Sequence, residues 1–270
     1  MKIFDFKLQA GKIEEDIKKK LGNPDRVGDK VLAIIFIGDD PSSEKFIQIK
    51  VSLCEKLGLK CKVFKINEKE MSDQEIFSEV RSIFGNDEIH GGIIQLPLPR
   101  KSLNEALDMI PVEKDVDVIS TEGKKIFYSG DFSRLSPVVR SFDNFIKSNS
   151  LELEGLKSVV IGEGDLVGKP LSFYLSKKGA DVRIISNYDG QEKIDCDLLV
   201  LSAGVPNLVK GENVSIGCNV VDFGSSIVEG KCVGDLDMNS SLEHLGCISK
   251  SPGGMGPLVV RYLLLNYLEI

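Results

Sequence analysis

Apolar residues in the first half of the chain fall into short runs that alternate with segments of helical spacing. The apolar run Val31–Ile37 predicts a strand buried on both faces, as in a parallel sheet. The elements predicted after it are a helix at 44–57 ended by Gly58, a strand at 61–66, a helix opened by the capping box Ser72-x-x-Glu75, a strand at 91–95, and a short helix opened by a second capping box, Ser102-x-x-Glu105. This alternation predicts an α/β layer with a parallel sheet.

The same pattern restarts in the second half of the chain. Residues 118–138 have no clean period and are interpreted as a bridge, followed by a helix at 140–148. The elements predicted after the bridge are strands at 158–161, 182–185, 198–202 and 220–223, a glycine-rich turn at 162–168, a helix at 169–178, a short strand near 230–234 and a last helix at 258–267. With 270 residues, and about 150 residues per domain as a guide, two α/β domains are expected.

Composition narrows the functional classes. The net charge of −7 argues against a nucleic-acid-binding surface, which needs clustered Lys and Arg. No apolar run approaches the roughly 18 residues of a membrane span, and the first residues lack the apolar core of a signal peptide. The six cysteines form no CxxC pair and the two histidines have no partner at ligand spacing, so reduced thiols and no metal site are expected. We therefore expect a soluble, cytoplasmic protein without a structural metal. The acidic balance does not exclude an anionic small ligand, because a helix N-terminus can supply local positive potential.

One glycine pattern points to a nucleotide. Gly162, Gly164 and Gly168 follow a predicted strand directly and open a helix. Glycines at such a turn let backbone N–H groups approach a pyrophosphate, whose charge is stabilised by the helix dipole. The spacing is one residue longer than G-x-G-x-x-G, and a tight turn without a ligand is the alternative. The context of strand, turn and helix favours dinucleotide binding.

Several polar positions could carry chemistry, although each also has a simpler interpretation. Phe46 and Lys50 lie four residues apart on one helix face, and by themselves they are better interpreted as an aromatic at the core edge beside a solvated lysine. Gln95 ends a buried strand at the edge where open α/β sheets bind ligands, but it could only cap a loop. Asp115 and Asp117 are paired in a loop, where aspartates usually make turns.

These positions occur in a specific order together with a glycine-rich loop near the end of the chain. The ordered segments are Phe46-x-x-x-Lys50, Gln95-Leu96-Pro97-Leu98-Pro99, Lys114-Asp115-Val116-Asp117, the turn from Gly162 to Lys169-Pro170, and Pro252-Gly253-Gly254-Met255-Gly256-Pro257. This order resembles the methylenetetrahydrofolate dehydrogenase/cyclohydrolase family over residues 33–267.

The resemblance implies a fold and an activity. It implies two three-layer α/β domains: a folate-binding catalytic domain at 1–138 plus 252–270, to which the C-terminal helix returns, and a Rossmann-type NAD(P)-binding domain at 139–251. It implies oxidation of 5,10-methylenetetrahydrofolate with NADP or NAD, and hydrolysis of the methenyl product to 10-formyltetrahydrofolate. It also implies a homodimer formed through the Rossmann-type domains.

The resemblance further implies roles for individual residues. Lys50 would be the catalytic lysine, Gln95 would orient it by a hydrogen bond, and Asp117 would anchor the pterin. The implied substrate contacts are Phe46, Lys50, Ile94, Gln95, Leu96, Asp117, Pro252, Gly253, Gly254, Met255 and Gly256. The implied cofactor contacts are Gly162, Glu163, Gly164, Val167, Gly168, Asn187, Gly204 and Ser225.

The chain departs from the family pattern mainly on the cofactor side. Glu163 stands where the family commonly has an arginine that grips the 2′-phosphate of NADP, which favours NAD as a hypothesis. Phe46 replaces a tyrosine, Val118 replaces a glycine, and Ser186-Asn187 and 136–139 replace a His-Ser pair and a Pro-Cys-Thr-Pro segment. Two alternatives stay open at this point: another two-domain NAD(P) dehydrogenase of the shikimate type, and a folate- or nucleotide-binding paralogue that has lost one or both activities.

Overall fold

The computed structural model describes residues 1–22 and 30–270. The chain divides into two compact units, a first unit of residues 12–137 and 260–270, and a second unit of residues 1–11 and 138–259. These units differ from the predicted domains at 1–11, 138 and 252–259, which all belong to the second unit. The N-terminal residues do so because strand β1 (Lys2–Ile3) pairs with β13 (Cys247–Ser249).

The first unit is built on three parallel strands in the order β3-β2-β4. They are β2 (Val31–Ile37), β3 (Cys61–Ile66) and β4 (Ile89–Ile94). The central strand β2 is buried from Leu32 onward, as its continuous apolar sequence predicts, because neighbours cover both of its edges and both of its faces. The edge strand β3 is mostly exposed or half-buried.

The helices around this sheet begin and end largely where their capping residues predict. Helix α2 (Pro41–Leu57) starts three residues before the predicted position because the Asp40 side chain accepts a hydrogen bond from Ser43 N at 2.7 Å. It ends at Gly58, whose φ of 76° is left-handed. The predicted capping box is confirmed at Ser72, which opens α3 (Asp73–Gly85).

Two predictions for this part of the chain fail, and one helix has no counterpart among the predicted elements. The second capping box is wrong, because the Ser102 hydroxyl hydrogen-bonds the Asp73 carboxylate and the segment Lys101–Met109 forms a 3₁₀ helix without a side-chain cap. The stretch interpreted as an irregular bridge contains helix α4 (Thr121–Tyr128), capped by Ser120. Helix α1 (Phe6–Leu21) was not predicted at all.

The second unit is built on six parallel strands in the order β1-β13-β9-β7-β5-β6. The members not yet located are β5 (Lys157–Ile161), β6 (Asp181–Ile185), β7 (Leu198–Leu201) and β9 (Asn219–Asp222), all within one residue of their predicted positions. The other elements are α5 (Pro137–Ser148), α6 (Gly168–Lys177), β8 (Val209–Lys210) paired with β12 (Leu236–Asp237), the hairpin of β10 (Ser226–Val228) and β11 (Lys231–Val233), and a short 3₁₀ turn at Gly211–Asn213. A further short 3₁₀ turn, Val112–Lys114, lies in the first unit.

The last helix, α7 (Met255–Tyr267), belongs to the first unit from Val260 onward. Asn266 Nδ2 donates to the carbonyl oxygens of Val116 and Leu135, both at 2.9 Å, and Arg261 forms an ion pair with Glu14. The predicted return of the C-terminal helix is therefore confirmed, as is the mixed α/β fold class with parallel sheets.

No helix within residues 1–22 and 30–270 is both long enough and apolar enough to span a bilayer. In the same ranges, no three or more His, Cys, Asp or Glu side chains form a group that could hold a metal ion.

Candidate active site

Lys50 and Gln95 meet at the carboxyl edge of the first unit's sheet. Helix α2 carries Lys50, and Gln95 follows β4 directly, with its N–H bonded to Ile35 O at 2.8 Å. Lys50 Nζ donates to Gln95 Oε1 at 2.8 Å, and Gln95 Nε2 donates to Leu96 O at 2.6 Å. Because its amide nitrogen is held by the backbone, the glutamine keeps its oxygen toward the lysine.

Asp117 projects from a turn that its neighbour Asp115 holds together. The buried Asp115 carboxylate accepts hydrogen bonds from Ile119 N at 3.2 Å, Ser120 N at 2.9 Å and Ser120 Oγ at 2.6 Å. Val118 takes the left-handed φ of 58° that a glycine would adopt freely. Within the described ranges no hydrogen bond to the Asp117 carboxylate is found, so of this pair Asp115 shapes the turn and Asp117 is available to a ligand.

Lys50 and Asp117 perturb each other's protonation. Burial lowers the pKa of Lys50, and the charge of Asp117 partly opposes this. Burial raises the pKa of Asp117 to about 6, while Lys50 opposes the rise and Asp115 adds to it. Asp117 keeps some exposed surface, but its carboxylate is densely surrounded by protein. The pKa of each group is thus shifted toward neutral pH, where a group can both accept and donate a proton.

The other predicted substrate contacts of the first unit differ in exposure. Phe46, one helical turn before Lys50, is 44% exposed, and Leu96, the first residue of a cis peptide bond with Pro97, is half-buried. Ile94 is only 1% exposed and belongs to the apolar core. A direct contact between Ile94 and substrate is therefore not supported, because its side chain serves packing.

The glycine-rich loop at 252–256 lies in the second unit, whereas the resemblance places it in the folate-binding domain. Gly254 closes the loop so tightly that a Cβ would lie 2.2 Å from Lys250 O, and Gly253 has a left-handed φ of 89°. Met255 is 1% exposed, whereas Pro252 and Gly256 are exposed. Ligand contact by this loop would therefore come from Pro252, Gly253 and Gly256 rather than from the Met255 side chain.

The glycine turn after β5 fits a dinucleotide. Gly162 has a left-handed φ of 98°, and a Cβ there would lie 2.6 Å from the Ser202 carbonyl group. A Cβ on Gly168 would lie 1.9 Å from Gly162 O, so only glycine lets α6 start this close to the strand. A Cβ on Gly164 would meet nothing within 4 Å. The turn, with Val167 at the helix start, leaves open backbone for a pyrophosphate at a helix N-terminus.

The next strand brings a hydroxyl to Glu163. Ser186, directly after β6, donates from Oγ to Glu163 Oε2 at 2.5 Å. Both residues and the neighbouring Asn187 are exposed. A carboxylate near the end of the second strand of such a fold can accept hydrogen bonds from a ribose hydroxyl, whereas a phosphate there calls for a cation.

Comparison with known sequences identifies the family. The pattern of the tetrahydrofolate dehydrogenase/cyclohydrolase catalytic domain matches residues 4–117, and that of the tetrahydrofolate dehydrogenase/cyclohydrolase NAD(P)-binding domain matches residues 138–270. The chain belongs to this family.

Relatives in the tetrahydrofolate dehydrogenase/cyclohydrolase family match along nearly their full length. The bifunctional protein FolD of Aquifex aeolicus is 33% identical, over 99% of this chain and 94% of the relative. The crystal structure of the bifunctional enzyme FolD of Campylobacter jejuni, a methylenetetrahydrofolate dehydrogenase/cyclohydrolase, superposes with a TM-score of 0.88 at 30% identity, covering 98% of this chain and 96% of that one. A Trypanosoma brucei FolD structure in complex with NADP, at 23% identity and a TM-score of 0.88, shares the fold.

Two buried aspartates, which the sequence did not indicate, hold the loops that carry the predicted cofactor contacts Gly204 and Ser225. Gly204, predicted to bind cofactor, is held through its N–H by the buried Asp235 at 3.1 Å. Ser225 lies in the loop after Asp222, whose buried carboxylate accepts a hydrogen bond from Gly224 N at 2.7 Å. Burial raises the pKa of both carboxyls, that of Asp222 to about 7. Their sequence signal, an Asp within two residues of a Gly near a strand end, is too common to single them out.

Proposed function

We propose that this protein oxidises 5,10-methylenetetrahydrofolate to the 5,10-methenyl cation with a nicotinamide cofactor and hydrolyses that cation to 10-formyltetrahydrofolate. The observation that carries the proposal is the 2.8 Å hydrogen bond between Lys50 and Gln95, with Asp117 close enough to perturb the pKa of the lysine. Family membership supports the same activity. In this proposal folate binds at the first unit and the cofactor at the second.

The hydrolysis needs a group that accepts and returns a proton, and Lys50 suits that role. Water adds to the methenyl carbon, and the proton it loses passes to the neutral amine of Lys50. The bond between that carbon and N5 then breaks: N5 takes the proton back from the ammonium, and the hydroxyl of the adduct loses its own proton to solvent as the formyl C=O forms. Burial favours the neutral amine, and a bound cationic substrate would favour it further because like charges repel. Gln95 keeps the amine in place throughout.

Asp117 suits the anchoring of the pterin ring. Its carboxylate has two acceptor oxygens, and the pterin offers a ring N–H and an amino group as matching donors. A hydrogen-bonded pair with an ionised acceptor is about twice as strong as a neutral one. The fixed turn around Asp115 keeps this acceptor oriented before the substrate arrives.

The oxidation needs a dinucleotide, whose nicotinamide ring supplies the hydride acceptor when bound. The second unit would hold it by the turn at Gly162, Gly164 and Gly168, where backbone N–H groups reach the pyrophosphate. The chain's own contribution to this step is to bind and orient the two reactants, which is the main protein term in hydride transfer.

We propose NAD rather than NADP as the preferred cofactor. The exposed Glu163 carboxylate, fixed by Ser186, would repel a 2′-phosphate and accept a hydrogen bond from a 2′-hydroxyl. We also propose a homodimer formed through the second unit, in the cytoplasm. The exposed Ile184 on the edge strand β6, 42% accessible, supports an interface at this edge.

The assay that tests this function follows methenyl absorbance and its decay with 5,10-methylenetetrahydrofolate and either NAD or NADP. Lys50→Met should abolish the hydrolysis, because no group is left to move the proton. Lys45→Met, which removes an exposed lysine from the same helix, is the matched control and should leave the rates unchanged. The absence of turnover with either cofactor, or hydrolysis by Lys50→Met at the wild-type rate, would contradict the proposal.

A further inference from the structure

The order of the strands defines where a ligand can bind in the second unit. From β5 the chain goes to β6 on one side and then crosses to β7 on the other side. In open α/β sheets, ligands bind outside the carboxyl ends of the strands at such a switch point. The walls of this crevice are the turn at 162–168 and the loop at 203–205, which touch at the base where Gly162 faces Ser202.

The loop at 203–205 is held by one buried carboxylate. Asp235 Oδ2 accepts hydrogen bonds from Ala203 N at 2.7 Å and Gly204 N at 3.1 Å, and Asp235 Oδ1 accepts from Val205 N at 2.9 Å. Three consecutive N–H groups thus converge on a side chain that is itself 0% exposed. From the other side, Ser226 Oγ donates to Gly204 O at 2.9 Å.

A second buried carboxylate holds the first. Asp222, at the carboxyl end of β9, accepts from Asp235 N at 3.3 Å and from Leu236 N at 3.1 Å. Glycines close over both side chains, since a Cβ on Gly224 would lie 2.2 Å from Asp235 Oδ1 and a Cβ on Gly234 would lie 2.1 Å from Asp222 Oδ2. The two aspartates therefore form one hydrogen-bonded pair, which links the loops at 203–205, 223–225 and 234–235 beside the crevice.

Satisfying the loop's hydrogen bonds does not require this arrangement. Gly204 and Val205 are exposed, and water could hydrate their N–H groups without any buried charge. Two neighbouring buried carboxylates are themselves costly to desolvate. What they provide is a fixed loop conformation beside the crevice, which removes the entropy cost of ordering that loop when a ligand binds.

We propose that Asp222 and Asp235 are positioning residues for the dinucleotide, which hold the loop at 203–205 in its binding conformation before the cofactor arrives. The proposal rests on the proposed function, because it needs a dinucleotide in the crevice. Neither aspartate contacts the cofactor in this role; each acts through the backbone of the loop.

The test compares cofactor binding with an activity that uses no cofactor. NAD and NADP are titrated calorimetrically into the wild type, Asp235→Asn and Asp222→Asn. An amide nitrogen facing backbone N–H groups should free the loop and raise the dissociation constant by about tenfold or more. Methenyl hydrolysis, which consumes only water and is assigned to side chains of the first unit, should stay within about twofold, because the backbone groups that the two aspartates hold all belong to the second unit.

Asp197→Asn is the matched control in the second unit. Asp197 also accepts a backbone hydrogen bond, from Lys157 N at 3.1 Å. This bond lies at the amino ends of β5 and β7, whereas the crevice lies at their carboxyl ends, so the replacement should leave the dissociation constant unchanged. A wild-type dissociation constant in Asp235→Asn would overturn the positioning role. A parallel loss of binding and hydrolysis would overturn it too, since that result indicates stability alone.

The wild type tests the proposed function and the inference separately. Failure of the wild type to bind either nucleotide refutes the cofactor and, with it, the positioning role, whereas normal wild-type binding with unaffected variants refutes only the inference. If the variants do not fold, hydrogen exchange on the cofactor-free wild type decides. The amides at 203–205 should be protected at least about a hundredfold if the loop is already ordered, and exchange at unprotected rates would overturn the proposal.

Discussion

The replacement Gln95→Glu tests the proposed hydrolytic role of Lys50 most directly. It exchanges the amide that accepts a hydrogen bond from Lys50 Nζ at 2.8 Å for a carboxylate of nearly the same shape. The new charge stabilises the ammonium form, so the pKa of Lys50 rises. If hydrolysis requires the neutral amine, the rising limb of its pH–rate profile moves to higher pH.

The size of the effect follows from the burial of the pair and from the separation of the two charge centres, which is longer than the contact between the nearest atoms because the carboxylate charge is shared by two oxygens. Two opposite charges about 4 Å apart attract by about 4 kcal/mol at an effective dielectric constant of about 20, which corresponds to about 3 pH units at 1.36 kcal/mol each. Measured effects of one opposite charge at this range are about 1 to 3 units. Hydrolysis measured on the rising limb should therefore fall by about tenfold to a thousandfold and recover at higher pH.

The assay is the initial rate of methenyl decay over a pH series, corrected for the uncatalysed reaction. Gln48→Glu is the matched control, because Gln48 is exposed on the same helix and its replacement adds an equal charge to solvent. If the rising limb of the pH–rate profile stays at the same pH in Gln95→Glu, or moves to lower pH, Lys50 is not the titrating base.

Three further predictions concern single residues. Glu163→Arg should shift the ratio of kcat/KM for NADP over NAD upward by about tenfold or more, since it exchanges repulsion of the 2′-phosphate for a bidentate ion pair; an unaltered ratio counts against the repulsion. Phe46→Tyr should raise the hydrolysis rate several-fold and leave the oxidation rate unchanged in the paired assay, because it restores the family's hydroxyl one turn from Lys50; equal rates in both proteins refute that role. Asp117→Asn should abolish folate binding measured by calorimetry, yet it should raise the free energy of unfolding at pH 7 by up to about 3 kcal/mol. The reason is that folding raises the pKa of Asp117 from 3.8 to about 6, so that ionisation of the wild type opposes folding as the pH rises across that interval. A denaturant midpoint below that of the wild type would contradict this prediction.

The sequence determined most of the secondary structure and the family. Val31–Ile37 is apolar throughout, and an uninterrupted apolar run of this length has few stable options other than a strand buried on both faces. The capping box at Ser72 predicted a helix start because the side chains of Ser72 and Glu75 each accept a hydrogen bond from the other residue's backbone N–H, three positions away. The motif around Gln95 and the glycine turn after β5 could be recognised from the sequence because the local backbone geometry requires those residue types.

Only the tertiary structure decided which polar groups act together. Ser102 has the spacing of a cap, yet it bonds to Asp73, a residue far along the chain, and spacing alone cannot report such a competitor. Asp115 and Asp117 look alike in sequence, but the fold assigns one to the turn and leaves the other for a ligand. Asp222 and Asp235 gain their environment from loops that converge only after the sheet has formed. Burial and long-range hydrogen bonding, which set the protonation and orientation of these groups, depend on residues distant in the chain, and no local pattern encodes them.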